Sequence, residues 1–144
     1  MDTEIRQMTI GDYESVVALW QSTEGIGLDF EDADSRESVE AYLERNPGLS
    51  FVATDGGKVI GAVLCGHDGR RGYLHHLALD GAHRRRGIGK ALVARCISGL
   101  GSAGIPKCNI LVFSDNDQGQ AFWEADGWSH HPGLQFLQKP TSGP

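Results

Sequence analysis

The stretch HRRRGIGKAL (83–92) places three arginines before Gly-Ile-Gly and then continues with the apolar spacing of a helix. The preceding segment YLHHLALD (73–80) reads as a strand, so the sequence predicts a strand, a loop and a helix in succession. Glycines let backbone N–H groups converge at a helix N-terminus, where they lack intrahelical partners and attract anions. Neighbouring arginines add charge-assisted hydrogen bonds to phosphate oxygens. The stretch therefore predicts a site for a phosphorylated ligand, and a glycine-opened helix with solvated arginines is the alternative.

The glycine spacing excludes two other phosphate-binding loops. A P-loop requires Gly-Lys followed by Ser or Thr after four spacer residues, and the sequence contains no such run. The dinucleotide-binding fingerprint requires a third glycine at the position where Leu92 stands. The phosphorylated ligand therefore has to be of another kind.

Charge is distributed unevenly along the chain. The net charge is −6, and residues 1–44 carry twelve acidic but only two basic side chains. Seven of the thirteen Lys and Arg residues lie between positions 70 and 95, together with a single Asp. A basic cluster on an acidic protein indicates one anionic ligand at a defined place, whereas general nucleic-acid binding needs a wider basic surface. We therefore expect no nucleic-acid partner, with a solvated charge run as the alternative interpretation.

The remaining sequence reads as one α+β domain that spans residues 1–144. The segment TEIRQM (3–8) alternates like a strand, and helical spacing follows over 11–22 and 34–46, with Asp12 and then Asp34 or Ser35 as candidate caps. Residues 49–80 give three strand-like runs separated by the turn signals DGG and HDGRRG. After the helix from Gly87 come a strand over 107–113, a helix capped near 114–116, and LQFLQK (134–139) as a last strand. The pattern predicts an antiparallel middle followed by a strand–helix–strand crossover.

A second motif, SDNDQGQAFWEADGW (114–128), completes a family resemblance. The run Arg84-Arg85-Arg86-Gly87-Ile88-Gly89 resembles the acetyl-coenzyme A loop of the GNAT acetyltransferases, and the second motif is similar to their asparagine-led helix. Within the superfamily, the chain resembles the ribosomal-protein-alanine-acetyltransferase-like branch of small acetyltransferases. The resemblance implies a GNAT fold of class α+β, three-layered, with a mixed and mostly antiparallel sheet of six to seven strands and four helices. It also implies an N-acetyltransferase.

The resemblance assigns acetyl-coenzyme A as cosubstrate and a set of coenzyme contacts. The diphosphate would lie on the N–H groups of the glycine loop, and the pantetheine arm would lie like an extra strand against the end of the preceding strand. A backbone N–H near Leu79 would polarise the thioester carbonyl. The implied contacts are Leu77, Ala78, Leu79, Arg84, Arg85, Arg86, Gly87, Ile88, Gly89, Lys90, Asn116 and Trp123.

The resemblance also points to catalytic candidates, because an amine attacks a thioester only after it loses a proton. His75 falls where some relatives carry a strand histidine used as base or water relay, and Tyr73 is the candidate for returning a proton to the thiolate. Strand alternation predicts that His75 and His76 face opposite sides of the sheet, with His76 as the less favoured base. The family's usual acid, a tyrosine, aligns with Trp123, whose indole cannot serve. The thiolate then leaves unassisted or through water, or another group such as Tyr73 gives it a proton. A coenzyme A-binding sensor or regulatory module without efficient catalysis is therefore the alternative function.

The acidic segment STEGIGLDFEDAD (22–34) is expected to form a wall of the acceptor pocket, as the loop between the leading helices does in the family. Its negative field would attract a cationic amine, either a small molecule or a peptide amino group; acids that only promote solubility are the alternative. Candidate substrate contacts are Trp20, Ile26, Leu28 and Phe30, and Trp20 is equally a candidate for the core.

Composition bounds the partners and the compartment. Three widely spaced cysteines predict reduced thiols in a cytoplasmic protein, and neither a signal peptide nor a membrane-spanning run is recognisable. We expect no membrane association and no metal, because an adjacent histidine pair on opposite faces cannot share an ion. The segment LQFLQKP (134–140) is a candidate for pairing with a second copy of the chain, which would make a homodimer.

Overall fold

The computed structural model describes residues 3–142, which form five strands and four helices. In chain order they are β1 (Thr3–Gln7), α1 (Tyr13–Gln21), α2 (Arg36–Arg45), β2 (Phe51–Asp55), β3 (Lys58–His67), β4 (Gly72–Leu79), α3 (Ile88–Ser102), β5 (Cys108–Ile110) and α4 (Asp117–Ala125). The chain divides into two compact units, the first ending at Phe113 and the second beginning at Ser114. No helix within residues 3–142 is long and apolar enough to cross a membrane.

The five strands form one sheet in which spatial order equals chain order. The pairs β1–β2, β2–β3 and β3–β4 are antiparallel, and β5 is parallel to β4. Gly56 and Gly57 connect β2 to β3 with φ of 58° and 87°, which is the backbone of a tight hairpin turn that glycine adopts without strain. The parallel pair arises because α3 carries the chain across the sheet. The predicted antiparallel middle and the crossover are confirmed.

The expectation of six to seven strands is wrong for the part of the chain that the structure describes. The segment LQFLQK (134–139), predicted as a last strand, forms neither a helix nor a strand. Leu134, Phe136 and Leu137 are 76%, 66% and 87% exposed. A strand needs a partner for its backbone groups, and alternating apolar residues alone do not supply one.

The helices of the first unit cover both faces of the sheet. Successive residues of β3 point to opposite faces, so that Gly61 faces Leu92 of α3 whereas Ala62 belongs to the core cluster under α1 and α2. That cluster consists of Met8, Val16, Leu19, Trp20, Val39, Val52, Ala62, Leu64 and Ala78. Helix α3 buries Leu92, Val93, Cys96 and Leu100, which is the helical spacing of an apolar face. Both faces of the sheet are therefore covered by helices, and a ligand can reach the sheet only at strand ends and edges.

The start of α1 differs from the sequence expectation, whereas α2 begins at one of its two candidate caps. The Asp12 carboxylate does not cap α1; it accepts two hydrogen bonds from Arg6, at 2.8 and 2.9 Å, and one from the Thr9 N–H. Ser35 caps α2 by accepting a hydrogen bond from the Ser38 N–H at 3.1 Å. Of the two candidate caps for α2, Ser35 is therefore the cap, and Asp34 is free for another role.

All three cysteines are free thiols, and two of them lie in the core. The Cys96 thiol donates to the Leu49 carbonyl at 3.4 Å, and a hydrogen bond with Cys65 together with burial raises the pKa of Cys96. Burial also raises the pKa of the half-buried Cys108 to about 12. The thiols of Cys96 and Cys108 are therefore protonated at neutral pH.

The second unit contains α4 and no strand among its described residues. Asn116 caps α4 by accepting a hydrogen bond from the Gly119 N–H at 2.9 Å, within the cap region that the sequence predicts. The ring of Trp123 contacts those of Phe122 and Trp128 edge-on, with centroids 4.9 and 5.1 Å away. These rings form the apolar centre of the unit.

Candidate functional site

Strand β4 extends well beyond its neighbour β5. The two strands pair only where Gly72, Tyr73 and Leu74 lie opposite Cys108–Ile110, whereas β4 continues to Leu79. Among the described residues, no strand pairs with the β5 side of β4 from His75 onward. Backbone groups on an unpaired strand edge are free to bind an extended ligand. The edge includes Leu77, Ala78 and Leu79, the expected contacts of the pantetheine arm.

A β-bulge interrupts β4 in the middle of this edge. Leu64 lies opposite His75 and Ala62 lies opposite Ala78, so the single residue Val63 faces both His76 and Leu77. His76 has a φ of 54°, in the left-handed region. A bulge adds one residue to one strand and turns the following side chains to the other face. The simple alternation assumed for β4 therefore fails.

The prediction that His75 and His76 face opposite sides of the sheet is wrong because of this bulge. The His75 ring lies edge-on to Tyr42 of α2 at a centroid distance of 5.9 Å, and the His76 ring lies edge-on to Trp20 of α1 at 4.9 Å. The two imidazoles are 6.4 Å apart. Both histidines therefore face the layer of α1 and α2.

His75 has the environment of a neutral imidazole. It is half-buried, its ring stacks on Tyr73 at 6.4 Å with an angle of 14°, and among the described residues no group hydrogen-bonds its ring nitrogens. Burial, and then the nearby His76, lower the pKa of His75. Burial also raises the pKa of Tyr42, so that hydroxyl stays protonated and cannot accept a proton near neutral pH. The His75 imidazole therefore stays unprotonated at a lower pH than a free imidazole.

Asp34 connects the loop between α1 and α2 to the bulge. One carboxylate oxygen lies 2.8 Å from His76 Nε2, and the other accepts a hydrogen bond from the Asp29 N–H at 2.9 Å. The backbone carbonyl of Asp34 accepts a hydrogen bond from the Tyr13 hydroxyl at 2.6 Å. Asp34 is 4% exposed, which is rare for an aspartate unless it is paired. The sequence predicted Asp34 as a candidate helix cap and as one acid of the pocket wall, and this contact was missed, since no local pattern distinguishes one buried acid within an acidic run.

The four candidate substrate contacts separate into two groups. Trp20 is 1% exposed and belongs to the core, where its ring supports His76. Ile26 and Leu28 are half-buried against the core cluster, and Phe30 is 43% exposed. The loop passes over the Phe113 ring, since a Cβ built on Gly27 would approach it to 2.9 Å. The acidic loop thus lies close to Phe113, the last residue of the first unit.

The glycine loop is exposed and leads into α3 through two left-handed residues. Arg85 has a φ of 66°, and Gly87, the residue before α3, has a φ of 76°. The Ala91 N–H makes the first helical hydrogen bond, to the Gly87 carbonyl at 3.0 Å. The N–H groups of Ile88, Gly89 and Lys90 precede that bond, and within residues 3–142 none of them has a hydrogen-bond acceptor. They are the free donors that an anion-binding helix terminus requires.

Charge and space around this terminus suit an anion. Arg84, Arg85, Arg86 and Lys90 are exposed, whereas Ile88 and Gly89 are buried in the first turn. A Cβ built on Gly87 would meet no atom within 4 Å, so the approach to the terminus is open. Of the predicted coenzyme contacts, the structure thus brings Leu77–Leu79 and 84–90 together at one end of β4. Asn116 and Trp123 belong to the second unit, where they serve as helix cap and apolar centre.

Comparison of the sequence with known proteins identifies one family. A family model described as the acetyltransferase (GNAT) family matches residues 14–128. An acetyltransferase of Sodalis glossinidius (strain morsitans) is 36% identical over 114 residues, which cover 79% of this chain and 78% of that protein.

Comparison of the structure with solved structures gives the same fold. The PaiA N-acetyltransferase from Thermoplasma acidophilum, solved in complex with coenzyme A, is similar with a TM-score of 0.79 and 22% identity, over 90% of this chain and 91% of that chain. AAC(6′)-Iy in complex with the bisubstrate analogue CoA-S-monomethyl-acetylneamine is similar with a TM-score of 0.76 and 20% identity, over 97% and 99% of the two chains. Both likenesses show a GNAT-like fold, here with five strands and four helices.

Proposed function

The chain belongs to the GNAT family of acetyltransferases, and on this basis we propose that it transfers the acetyl group of acetyl-coenzyme A to a primary amine of a small molecule, peptide or protein. The single observation that carries the proposal is the exposed N-terminus of α3 beside the unpaired edge of β4. One feature suits a diphosphate and the other an extended amide chain, and coenzyme A contains both groups in that order.

The proposed coenzyme site uses backbone groups first and side chains second. The N–H groups of residues 85–90 would hold the diphosphate, with Arg84, Arg85, Arg86 and Lys90 adding charge-assisted hydrogen bonds. The backbone of Leu77, Ala78 and Leu79 would hold the pantetheine arm, and an N–H near Leu79 would stabilise the negative oxygen of the tetrahedral intermediate. The family resemblance also implies coenzyme contacts from Asn116 and Trp123, and these stay predictions. None of these groups requires a metal ion.

In the proposed reaction, His75 accepts the proton of the amine, directly or through one water molecule. Its lowered pKa keeps the imidazole unprotonated at neutral pH, which supports this role. The amine nitrogen then attacks the thioester carbonyl, the C–N bond forms, and the C–S bond breaks as the thiolate leaves. Tyr73, whose ring stacks on His75, is the proposed donor of a proton to the thiolate.

The acceptor would enter beside the acidic loop. Glu24, Asp29, Glu31 and Asp32 are exposed there, which supports attraction of a cationic amine. Ile26, Leu28 and Phe30 would contact its apolar part, and Trp20 would act from the core by supporting His76. The free thiols support a cytoplasmic location. A single domain over 1–144 and a homodimer through 134–140 remain part of the proposal.

The test is turnover by the whole chain with a panel of amines, followed by mass spectrometry of the acetylated product. We expect product with at least one amine, and a loss of about 10²–10⁴-fold in His75→Gln, the usual contribution of a general base. His131→Gln, which changes an exposed histidine of the second unit, is the matched control and should retain full turnover. Tight coenzyme A binding without turnover on any amine would instead support the sensor alternative. That alternative is favoured by Trp123, which stands where the family usually has a tyrosine.

A further inference from the structure

His83 bridges two carboxylates immediately before the glycine loop. Its Nδ1 lies 2.8 Å from an oxygen of Asp80, which follows β4, and its Nε2 lies 2.9 Å from an oxygen of Asp55, the last residue of β2. An ionised carboxylate only accepts hydrogen bonds, and a neutral imidazole carries a single N–H. Both contacts can be hydrogen bonds only if both ring nitrogens are protonated. Between two ionised carboxylates, this geometry therefore favours an imidazolium.

This contact anchors one end of the segment that binds the coenzyme in the proposed function. His83 ends a 3-10 turn, and Arg84–Gly87 follow as an exposed segment with two left-handed residues. The backbone hydrogen bond that begins this segment, from the Arg84 N–H to the Gly81 carbonyl, is long at 3.5 Å. Asp55, by contrast, lies in the paired hairpin of β2 and β3. The His83 side chain thus connects the start of the exposed loop to the hydrogen-bonded hairpin of the sheet.

We propose that His83, as an imidazolium held by Asp55 and Asp80, is a positioning residue that sets the coenzyme affinity of the glycine loop. The inference rests on the proposed function, because the loop has to be the coenzyme site for its position to affect binding. His83 touches neither the coenzyme nor the reacting atoms in this scheme. It acts by fixing where the N–H groups after Arg84 stand.

Charges around His83 determine how the contact responds to pH. Asp55 and Asp80 face the ring directly, Arg86 of the loop opposes its charge, and Lys58 of β3 lies across the hairpin from Asp55. Hydrogen bonds to Asp55 and then Asp80 raise the pKa of His83 above its usual 6.5. The contact is therefore complete below pH 6.5 and is lost as pH rises through the raised value. Coenzyme affinity is expected to fall over the same interval.

The first test measures coenzyme A binding by calorimetry from pH 6 to pH 9 with His83→Gln and a matched control, His130→Gln. His130 makes an exposed contact with Glu124 in the second unit. We expect His83→Gln to bind about tenfold more weakly at pH 6, the loss of one charge-assisted hydrogen bond, and the deficit to disappear by pH 9. The control should have the affinity of the wild type at every pH. Titration of the coenzyme phosphates then affects both variants equally and drops out of the difference between them. An unchanged affinity of His83→Gln at pH 6 overturns the proposal.

Asp55→Asn keeps the contact but removes the need for the imidazolium. The carboxamide N–H can donate to Nε2 of a neutral His83 while Nδ1–H still donates to Asp80. We expect coenzyme affinity near that of the wild type at pH 6 together with a loss of the pH-dependent decrease. Nitrogen NMR of the imidazole should show both nitrogens protonated at pH 7 in the wild type, and a neutral ring there refutes the inference.

These measurements separate the inference from the function on which it rests. If the wild type binds no coenzyme A at any pH, the proposed function fails. If it binds coenzyme A but His83→Gln binds equally well, only the positioning role fails. Thermal unfolding of each variant identifies a loss of affinity that comes from a loss of fold.

Discussion

Replacement of Asp34 by alanine tests the connection between the acidic loop and the bulge. The change removes two hydrogen bonds to a carboxylate, at 2.8 and 2.9 Å, in a side chain that is only 6% exposed. Hydrogen bonds to charged groups contribute about 1.5–3 kcal/mol each, and breaking a buried pair costs about 3–5 kcal/mol. We expect the free energy of unfolding to fall by about 3 kcal/mol. Urea titration measures it, and at an m-value of about 2 kcal/mol/M the midpoint falls by about 1.5 M.

Two further variants identify the origin of this loss. Asp34→Asn keeps the shape and an acceptor for the Asp29 N–H, so we expect a loss of about 1 kcal/mol. Asp32→Ala removes an exposed acid from the same loop and should change stability by less than about 0.5 kcal/mol. A loss below 1 kcal/mol in Asp34→Ala would show that Asp34 is not anchored as described, and equal losses in Asp34→Ala and Asp32→Ala would assign the effect to loop charge.

Three other predictions concern single positions. Arg85→Gly removes the backbone strain of an arginine in the left-handed region, so we expect the free energy of unfolding to rise by up to about 1 kcal/mol. The same change removes the arginine side chain, so the free energy of coenzyme A binding, measured by calorimetry, should weaken by about 1–3 kcal/mol. Because the pKa of His75 is lowered, we expect kcat/KM to stay high as pH falls to about 6.5 and to decline only below that pH. The free energy of unfolding should also decline as pH falls, because the unfolded chain binds that proton more readily than the folded chain. A pH profile that His75→Gln leaves unchanged would argue against His75 as the base. In α3, Gly101→Ala has open space and should stabilise by about 0.5–1 kcal/mol in thermal unfolding, whereas the Cβ of Gly99→Ala would lie 2.8 Å from Leu49 and should cancel that gain.

Features with a local cause were predictable from the sequence. The turn at Gly56 and Gly57 follows from residues that tolerate positive φ, and the start of α3 follows from Gly87 and the apolar spacing behind it. The family resemblance was equally local, since the arginine–glycine loop and the second motif are contiguous runs. These signals were sufficient for the fold class and for the N-terminus of α3 as a candidate coenzyme site.

Features that depend on a distant partner were not predictable. The bulge at His76 exists because β4 carries one more residue than β3 over the paired stretch, and nothing in YLHHLALD alone reveals that count. The burial of Asp34 requires a histidine 42 residues away, and the role of His83 requires Asp55, 28 residues away. The error in the strand count has the same origin, because 134–139 has strand-like alternation but no partner that the sequence identifies.

The burial of two cysteines and the raised pKa of the third simplify measurement of the enzyme. Because Cys65 and Cys96 are buried and the pKa of Cys108 is raised to about 12, the native protein should react slowly with aromatic disulfide reagents. Such a reagent would measure the release of coenzyme A thiol with little background reaction from the protein. Denaturation exposes the core cysteines to the same reagent, so one absorbance assay reports both turnover and unfolding.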